Sequence, residues 1–257
     1  MAKKYLKIIS PCPILNTSDF NSVFGSDDGK TLKKDEKGHI RTLEFIALKN
    51  MIFEIESQCS EFIYKVKADF YPSDKIYLDS RFAKSVKSFK SSKHKHITNS
   101  KKILRNILKT EGLPYVWGGN YHKGIKKILK YYGNRKLNKE DKLSWELKGV
   151  DCSGLLFEAT DGYTPRNTKE LLTFGTAVLI ENKSPLEIQK IIKPLDIIVF
   201  QGHVIIILDN ETCFESRENN GSIKTKFLTL IDEILSSKNA KNDWETSKDF
   251  VIRRFIK

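Results

Sequence analysis

The sequence predicts an α+β chain in which a small β-barrel precedes helices packed on an antiparallel sheet. Before residue 85, short apolar runs recur at about ten-residue spacing, which is typical of small barrels. Residues 99–112 carry apolar side chains at helical spacing. Farther along, residues 195–208 hold two β-branched apolar runs separated by Gln201-Gly202, which indicates a hairpin.

The chain is predicted to contain two domains. Its 257 residues are enough for two modest domains, each with its own core. We place a β-barrel domain over residues 1–85, a basic linker over 86–98, and a second domain over 99–257 with an insertion at about 120–148. The linker lies where no acidic residue occurs between Arg81 and Thr110.

The strong positive charge does not by itself indicate nucleic-acid binding. The formal net charge is +13, but only eight of the 45 basic residues are arginine, and lysine is poorer at forked recognition of phosphates and bases. The basic linker also lacks the interleaved aromatic side chains of a nucleic-acid stacking platform. We therefore predict a solvated linker, no specific nucleic-acid partner, and some attraction for polyanionic fragments.

The chain carries no pattern of a membrane or metal protein. No run approaches the ~20 apolar residues that a membrane-spanning helix needs, and the N-terminus lacks the apolar region of a secretory signal. The four cysteines include no CxxC pair and do not cluster with histidine. We predict a cytoplasmic protein with reduced thiols, no metal and no cofactor, in which Cys12, Cys59 and Cys213 are ordinary packing residues.

The individual elements follow from apolar spacing and turn chemistry. In the N-terminal domain, short and partly alternating apolar runs predict strands over Leu43–Leu48, Met51–Glu56, Phe62–Val66 and Ile76–Phe82. After the cysteine-containing helix described below, the same patterns predict a helix around Lys169–Phe174, an amphipathic segment over Phe227–Ile234 and a closing strand over Asp249–Ile256.

A helix and an aromatic segment follow the linker. Asn99 or Ser100 is predicted to cap this helix, which ends at Gly112-Leu113-Pro114. Its apolar face is formed by Ile103, Leu104, Ile107 and Leu108. In the segment Tyr115-Val116-Trp117-Gly118-Gly119, the two glycines let the backbone pass close to a substrate or to the cysteine helix without a side-chain clash.

Cys152 lies where a helix is predicted to begin. Asp151 is a good N-cap residue, and Leu155, Leu156 and Ala159 recur at helical spacing. A thiol in the first turn of a helix lies near unpaired amides and the positive end of the helix dipole, which lowers its pKa and favours the nucleophilic thiolate. A free cysteine is also often a small buried hydrophobe, and this segment alone leaves both interpretations open.

Four short motifs occur in a fixed order along the chain. They are Tyr115-x-Trp117-Gly118-Gly119, Asp151-Cys152-Ser153-Gly154, Arg166-Asn167-Thr168, and Asp196 to Phe200 leading into His203-Val204. Together they resemble the NlpC/P60 family of cysteine peptidases over roughly residues 97–217. The chain departs from the family pattern in the long segment 120–150 and in a third catalytic position that is not histidine.

The resemblance implies a papain-like core, and the N-terminal strands are similar to the bacterial SH3-like barrels that often precede such cores. It implies cleavage of bacterial cell-wall peptides, typically at the γ-D-glutamyl to diamino-acid bond of fragments with a free N-terminal L-alanine. In this chain the implied catalytic residues are Cys152, His203 and Glu215. The implied substrate-binding residues are Tyr115, Trp117, Asp151, Ser153 and Arg166. We expect a monomer whose partners are peptidoglycan-derived peptides.

Strand geometry offers an independent check on the third catalytic residue. In the family this residue lies about twelve positions after the histidine, which is Glu215 here. A three-residue turn at Asp209-Asn210-Glu211 would pair Ile205 with Glu215, placing the carboxylate diagonally from His203 on the same face. A two-residue turn would put Glu215 on the opposite face, and Ser216 is the alternative orienting residue.

Several roles remain open from the sequence. Asp151 can hold a substrate amine, cap the helix, or do both, because a carboxylate has two oxygens. Arg166 can pair with a substrate carboxylate or tie its loop to the core. Tyr115 and Trp117 can be core aromatics, although the Tyr115 hydroxyl and the Cys152 amide are also donors available to an oxyanion. The alternative functions are an amidase or acyltransferase acting on another substrate, and a non-catalytic wall-binding or nucleic-acid-binding module.

Overall fold

A computed structural model describes residues 3–28, 30–88, 96–133 and 137–256. The structure is mixed α/β with mainly antiparallel sheets. In chain order its elements are β1 Tyr5–Ile8, β2 Cys12–Leu15, α1 Phe20–Val23, β3 Leu43–Ala47, β4 Ile52–Gln58, β5 Ile63–Ala68, β6 Tyr71–Asp79, β7 Ala83–Val86, α2 Ser100–Leu108, β8 Asn120–Tyr121, α3 Lys126–Tyr131, α4 Lys139–Trp145, β9 Gly149–Val150, α5 Cys152–Ala159, α6 Thr168–Leu171, β10 Thr176–Val178, α7 Pro185–Ile191, β11 Ile197–Phe200, β12 His203–Ile207, β13 Thr212–Arg217, β14 Gly221–Lys226, α8 Phe227–Leu235, β15 Asn239–Ala240 and β16 Asp249–Arg254.

The chain forms two compact units, and their borders differ from the predicted domains in one segment. The first unit comprises Met1–Lys95 and Val116–Gly149, and the second comprises His96–Tyr115 and Val150–Lys257. The predicted insertion at 120–148 therefore groups with the N-terminal unit, whereas the sequence-based division placed it in the C-terminal domain. Part of the predicted linker, residues 89–95, lies outside the described residues.

The first unit is built on a seven-stranded antiparallel sheet with the order β3-β2-β6-β5-β4-β1-β7. Strands β3 to β6 correspond to the four strands predicted there. Strands β1, β2 and β7 were not predicted, because their four-residue lengths are too short for a periodic signal. Among the described strands, no pairing joins the edge strands β3 and β7, so the predicted closed SH3-like barrel is not found.

Polar contacts join two residues of the segment 116–149, Asn120 and Tyr132, to the β-strand unit that contains this sheet. The Asn120 side chain accepts a hydrogen bond from the Ile46 amide at 2.7 Å and donates one to the Ile46 carbonyl at 2.8 Å, as a neighbouring strand would. The Tyr132 hydroxyl donates to the buried Asp79 carboxylate at 2.7 Å. The Arg81 guanidinium, which is paired with Asp79 at 2.6 Å, lies 5.0 Å from the centre of the Tyr132 ring. These contacts explain why the insertion belongs to the first unit.

The second unit is a sheet covered by helices on both faces. The sheet has the order β10-β16-β11-β12-β13-β14, with β15 parallel to β16. Helices α2, α5 and α6 pack with one face, which includes Val204 and Ile206, while α7 and α8 pack with the other, which includes Ile205 and Ile207. Burial of both faces explains why β11 and β12 read as continuous apolar runs instead of alternating ones.

Several predicted elements of this unit are confirmed. Asn99 caps α2 by accepting a hydrogen bond from the Lys102 amide at 3.0 Å, and Ile103 and Ile107 are buried. Leu108, predicted to share that apolar face, is instead 42% exposed, because α2 ends there. The closing helix α8 and strand β16 match their predicted segments. In the described part of the chain, every helix is too short or too polar to cross a membrane.

Candidate active site

Cys152 occupies the first position of α5 and is buried there. Asp151 is the N-cap in an extended conformation, and its Oδ1 accepts a hydrogen bond from the Gly154 amide at 2.6 Å. The Cys152 amide belongs to the first turn and has no acceptor within the helix. The predicted helix start is therefore confirmed, and the thiol lies at the positive end of the helix dipole.

A tight hairpin brings His203 to the thiol. Strands β11 and β12 are antiparallel with Phe200 opposite His203, and Gly202 in the two-residue turn has φ of +85°. A left-handed residue is what a tight hairpin turn requires, and glycine adopts it without strain. The Cys152 Sγ is 3.9 Å from the Gly202 carbonyl oxygen, and Cys152 is close enough to the His203 ring to raise the pKa of that ring.

The Glu215 carboxylate is hydrogen-bonded to one nitrogen of the His203 ring. Its Oε2 lies 2.7 Å from His203 Nε2, which leaves Nδ1 as the ring nitrogen available to Cys152. Strand β13 pairs with β12 in the register Ile206 to Phe214 and Ile207 to Cys213, which continues to Ile205 opposite Glu215. This is the register that a three-residue turn predicted. The carboxylate is fully buried, whereas His203 keeps 19% of its side chain exposed.

Ser216, the alternative orienting residue, makes a different contact. Its hydroxyl donates to the Val150 carbonyl at 2.7 Å and is fully buried. This bond ties β13 to the segment that enters the cysteine helix. Adjacent residues of a strand point to opposite faces, so Glu215 contacts the histidine and Ser216 does not replace it.

The three side chains form a coupled ionisable group. Burial of His203 by itself lowers its pKa, but the hydrogen bonds and charges of Cys152 and Glu215 outweigh burial and raise the pKa to about 9. Burial would raise the pKa of Glu215, but its hydrogen bonds to His203 and Arg217 hold that pKa below the ordinary value. Near neutral pH the site therefore favours an imidazolium beside an ionised glutamate.

Tyr115 is placed beside the cysteine helix by its backbone. It forms an isolated parallel bridge with Val150, and the preceding Leu113 carbonyl accepts a hydrogen bond from the Ser222 amide at 2.9 Å. Partial burial, followed by the nearby charge of Asp151, raises the pKa of the Tyr115 hydroxyl far above its ordinary value. The Tyr115 hydroxyl therefore remains protonated near neutral pH.

Asp151 and Arg166 form a buried ion pair next to the thiol. Two guanidinium nitrogens of Arg166 donate to the two carboxylate oxygens of Asp151, at 3.1 and 2.6 Å, and one also donates to the Ser153 hydroxyl at 2.9 Å. Arg166 is only 3% exposed. These contacts tie the Arg166 loop to the cysteine helix, and a substrate contact of Arg166 stays a prediction.

Replacing Arg166 by methionine is expected to lower the free energy of unfolding by about 3 to 5 kcal/mol, because the Asp151 carboxylate would be left buried without its partner. Urea denaturation measures this loss. The matched control is Lys65→Met, which removes a partly exposed pair with Glu56 and should cost no more than about 1 kcal/mol. A similar loss for the two variants would contradict a structural role for the Arg166 pair.

Trp117 and Gly118 lie in the first unit. The Trp117 ring is 37% exposed, and the Arg41 guanidinium lies 4.0 Å from its centre. Gly118 has φ of +69°, and a Cβ there would lie 2.4 Å from the Leu43 carbonyl oxygen. The close approach that we predicted toward a substrate or the cysteine helix is therefore made to strand β3, and a substrate contact of Trp117 stays a prediction.

Two features of the site differ from the sequence analysis. Arg217 was not predicted, yet its Nε forms an ion pair with the same Glu215 oxygen that His203 contacts, at 2.7 Å. Sequence reasoning could have found this ion pair, because Arg217 lies two positions after Glu215, has the opposite charge, and shares its face of the strand. Cys12 and Cys213 are buried packing residues as predicted, but Cys59 is exposed. Among the described residues, no cluster of three or more histidine, cysteine or acidic side chains could hold a metal ion.

The chain is similar to several solved structures, all at low identity. An NlpC/P60 family protein from Bacillus cereus is 15% identical with a TM-score of 0.39; the likeness covers 100% of this chain and 64% of that protein. NlpC2 from Trichomonas vaginalis is 14% identical with a TM-score of 0.36, covering 98% of this chain and 72% of that one. RipD from Mycobacterium tuberculosis, described as a non-catalytic NlpC/p60 domain protein adapted to peptidoglycan binding, is 16% identical with a TM-score of 0.37, covering 61% and 97%.

No protein-family model matches the chain, and no curated protein matches it. The three structural likenesses have TM-scores below 0.5, so no functional conclusion follows from them.

Proposed function

We propose that the chain is a cysteine hydrolase of bacterial cell-wall peptides, of the NlpC/P60 type, which cuts the γ-D-glutamyl to diamino-acid bond. The observation that carries the proposal is the position of His203 between Cys152 and the buried Glu215 carboxylate. A nucleophile, a base and a group that orients the base are the parts that nucleophilic acyl transfer needs. The order of the four motifs supports the choice of wall peptides as substrate.

In the first half-reaction the Cys152 thiolate attacks the carbonyl carbon of the scissile amide. The thiol proton has passed to His203, whose raised pKa favours the imidazolium. As the tetrahedral intermediate collapses, the carbon–nitrogen bond breaks and His203 returns that proton to the leaving amine. A thioester on Cys152 remains. In the second half-reaction His203 takes a proton from water, the hydroxide attacks the thioester, and the acid product leaves as the proton returns to sulfur.

Two donors are available for the negative charge on the attacked oxygen. One is the Cys152 amide in the first turn of α5, and the other is the Tyr115 hydroxyl, which the raised pKa keeps protonated. Preorganised donors of this kind stabilise the oxyanion because they need no reorganisation during the reaction. Tyr115 thus acts in the proposal as a catalytic donor.

The substrate's free amino end is proposed to bind at Asp151. The Asp151 Oδ2 atom accepts a hydrogen bond from Arg166 Nη2 at 2.6 Å. A carboxylate oxygen has a second lone pair, which can accept from the substrate ammonium group. We expect the wild-type enzyme to prefer a free tripeptide over its N-acetylated form by about tenfold in kcat/KM, the size of a charge-assisted hydrogen bond. Asp151→Asn keeps the cap oxygen but leaves the buried Arg166 guanidinium without its charge partner, so the comparison needs circular dichroism as a check on folding. In the folded variant that preference should be reduced. Equal rates on the two peptides in the wild type would remove the amine site from the proposal.

Incubation with defined muropeptides followed by mass spectrometry tests the function. Cleavage between D-glutamate and the diamino acid supports it. Release of a different product would favour an amidase or acyltransferase acting on another bond. Binding of wall fragments without cleavage would leave a non-catalytic wall-binding module, and salt-sensitive binding of an oligonucleotide would favour the nucleic-acid alternative. The proposal includes a cytoplasmic monomer, which cell fractionation and light scattering can check.

A further inference from the structure

The Glu215 carboxylate is shared between the catalytic histidine and a second cation. Its Oε2 is hydrogen-bonded to His203 Nε2 and forms an ion pair with Arg217 Nε, each at 2.7 Å. The other oxygen, Oε1, accepts a hydrogen bond from the Thr225 hydroxyl at 3.4 Å. One carboxylate oxygen therefore bridges the imidazole and the guanidinium.

Arg217 is fixed in this position from two directions. It lies two residues after Glu215 in β13, which places both side chains on one face of the strand. Its Nη1 also reaches Glu233 of α8 at 3.4 Å. The side chain is 33% exposed, so the guanidinium connects a fully buried carboxylate to the protein surface.

The charged groups around Glu215 come from four elements. His203 approaches from β12, with Cys152 of α5 on the other side of its ring. Cys213 and Arg217 lie on the same strand as Glu215, and burial raises the pKa of the Cys213 thiol to about 12, so that thiol stays neutral. Glu233 acts on the group only through Arg217. Arg217 is thus the permanent cation in contact with the carboxylate.

A permanent cation at this oxygen has two electrostatic effects. It stabilises the ionised form of a carboxylate that burial alone would protonate. It also repels an imidazolium that shares the same oxygen, which limits how far Glu215 can raise the pKa of His203. The first effect keeps the charge that stabilises the imidazolium. The second effect, together with the attraction of a cation for the thiolate, lowers the pH range over which the thiolate and imidazolium pair exists.

We propose that Arg217 is a positioning residue that holds Glu215 ionised against His203 and sets the pH range of the Cys152–His203 pair. The inference rests on the proposed function only in taking these two side chains as the reactive pair. It does not depend on the identity of the substrate.

The test is the pH dependence of Cys152 alkylation by iodoacetamide, measured in a Cys59→Ser background because Cys59 is the exposed thiol that would otherwise react. In Arg217→Gln we expect two limits of the ion pair to move up by about one pH unit, the usual effect of a charge within 4 to 6 Å. The acid limit is the pH at which alkylation of the thiolate begins. The alkaline limit is the pH at which the His203 ring loses its proton, which is read by NMR because the thiolate still reacts above it. Arg217→Lys should keep both limits near those of the wild type. NMR titration of the His203 ring should show the same upward shift of its pKa in Arg217→Gln.

Lys224→Gln is the matched control. It removes one positive charge from the neighbouring strand β14, where Lys224 pairs with Glu111 and does not contact Glu215. If Arg217→Gln does not fold, Arg217→Met serves with the same expectation. Unchanged limits in a folded Arg217→Gln or Arg217→Met variant, or an equal shift in Lys224→Gln, would overturn the inference. Shifted limits in a protein that cleaves no muropeptide would defeat the proposed function and leave the inference standing.

Discussion

Replacing Cys152 by alanine is expected to lower the rate of muropeptide cleavage by at least about four orders of magnitude, because a hydrolase that works through a covalent intermediate has no substitute for its nucleophile. The change removes only the sulfur from a helix start that Asp151 continues to cap. The protein should therefore fold and retain substrate binding. Steady-state kinetics on a defined muropeptide, with circular dichroism as a check on folding, measures the effect.

Cys213→Ala provides the matched control for the loss of a buried thiol. Cys213 lies in β13 of the same unit and is buried, and its raised pKa of about 12 keeps it protonated and unreactive. We expect cleavage within about twofold of the wild type and a cost in stability of about 1 kcal/mol. Near-normal cleavage by Cys152→Ala, or inactivity of Cys213→Ala, would refute the assignment of Cys152 as nucleophile.

The geometry of the candidate site was largely predictable because it depends on local rules. An N-cap fixes where the cysteine helix begins, and the two-residue turn at Gln201-Gly202 fixes where His203 opens its strand. The three-residue turn before β13 then determines that Glu215, and not Ser216, faces the histidine. Each step involves residues close in sequence, so the periodicity of apolar residues and the lengths of the two turns were sufficient to predict the site.

Contacts between distant segments could not be predicted in the same way. Nothing in the local pattern of residues 116–149 shows that Asn120 bonds to the backbone of Ile46, or that Tyr132 reaches Asp79. The Asp151–Arg166 pair was likewise left open, because either charge could have served a substrate. Such pairings are set by tertiary packing, which residue spacing in one sequence does not encode.

Glu215→Gln is expected to lower kcat by about 100-fold while the protein remains folded. The amide keeps the shape of the side chain and an oxygen that can accept from His203, but it lacks the charge that stabilises the imidazolium. It also leaves Arg217 uncompensated next to the ring. The pKa of His203 should therefore fall from about 9 toward or below its ordinary value, and the alkaline limit of activity should move down with it.

The same change should alter the pH dependence of stability, and the sign follows from the direction of each pKa shift. A raised histidine pKa contributes stability that is fully present below the ordinary value of 6.5 and is lost as pH rises through about 9. A lowered glutamate pKa contributes stability above its ordinary value of 4.5 that is lost as pH falls through the folded value. In Glu215→Gln both contributions disappear, so the stability difference from wild type should be largest between these ordinary values and shrink on either side.

Ser216→Ala separates orientation of the histidine from general damage to the strand. It removes the 2.7 Å bond to the Val150 carbonyl and should cost about 1 kcal/mol of stability, yet it should leave the pKa of His203 unchanged. In both Glu215→Gln and Ser216→Ala, NMR titration measures the pKa of His203, and urea denaturation at several pH values measures the free energy of unfolding. An unchanged His203 pKa in Glu215→Gln, or a lowered one in Ser216→Ala, would transfer the orienting role away from Glu215. Removing a carboxylate charge in contact with Nε2 must lower that pKa, whereas removing a neutral hydroxyl that contacts Val150 should not.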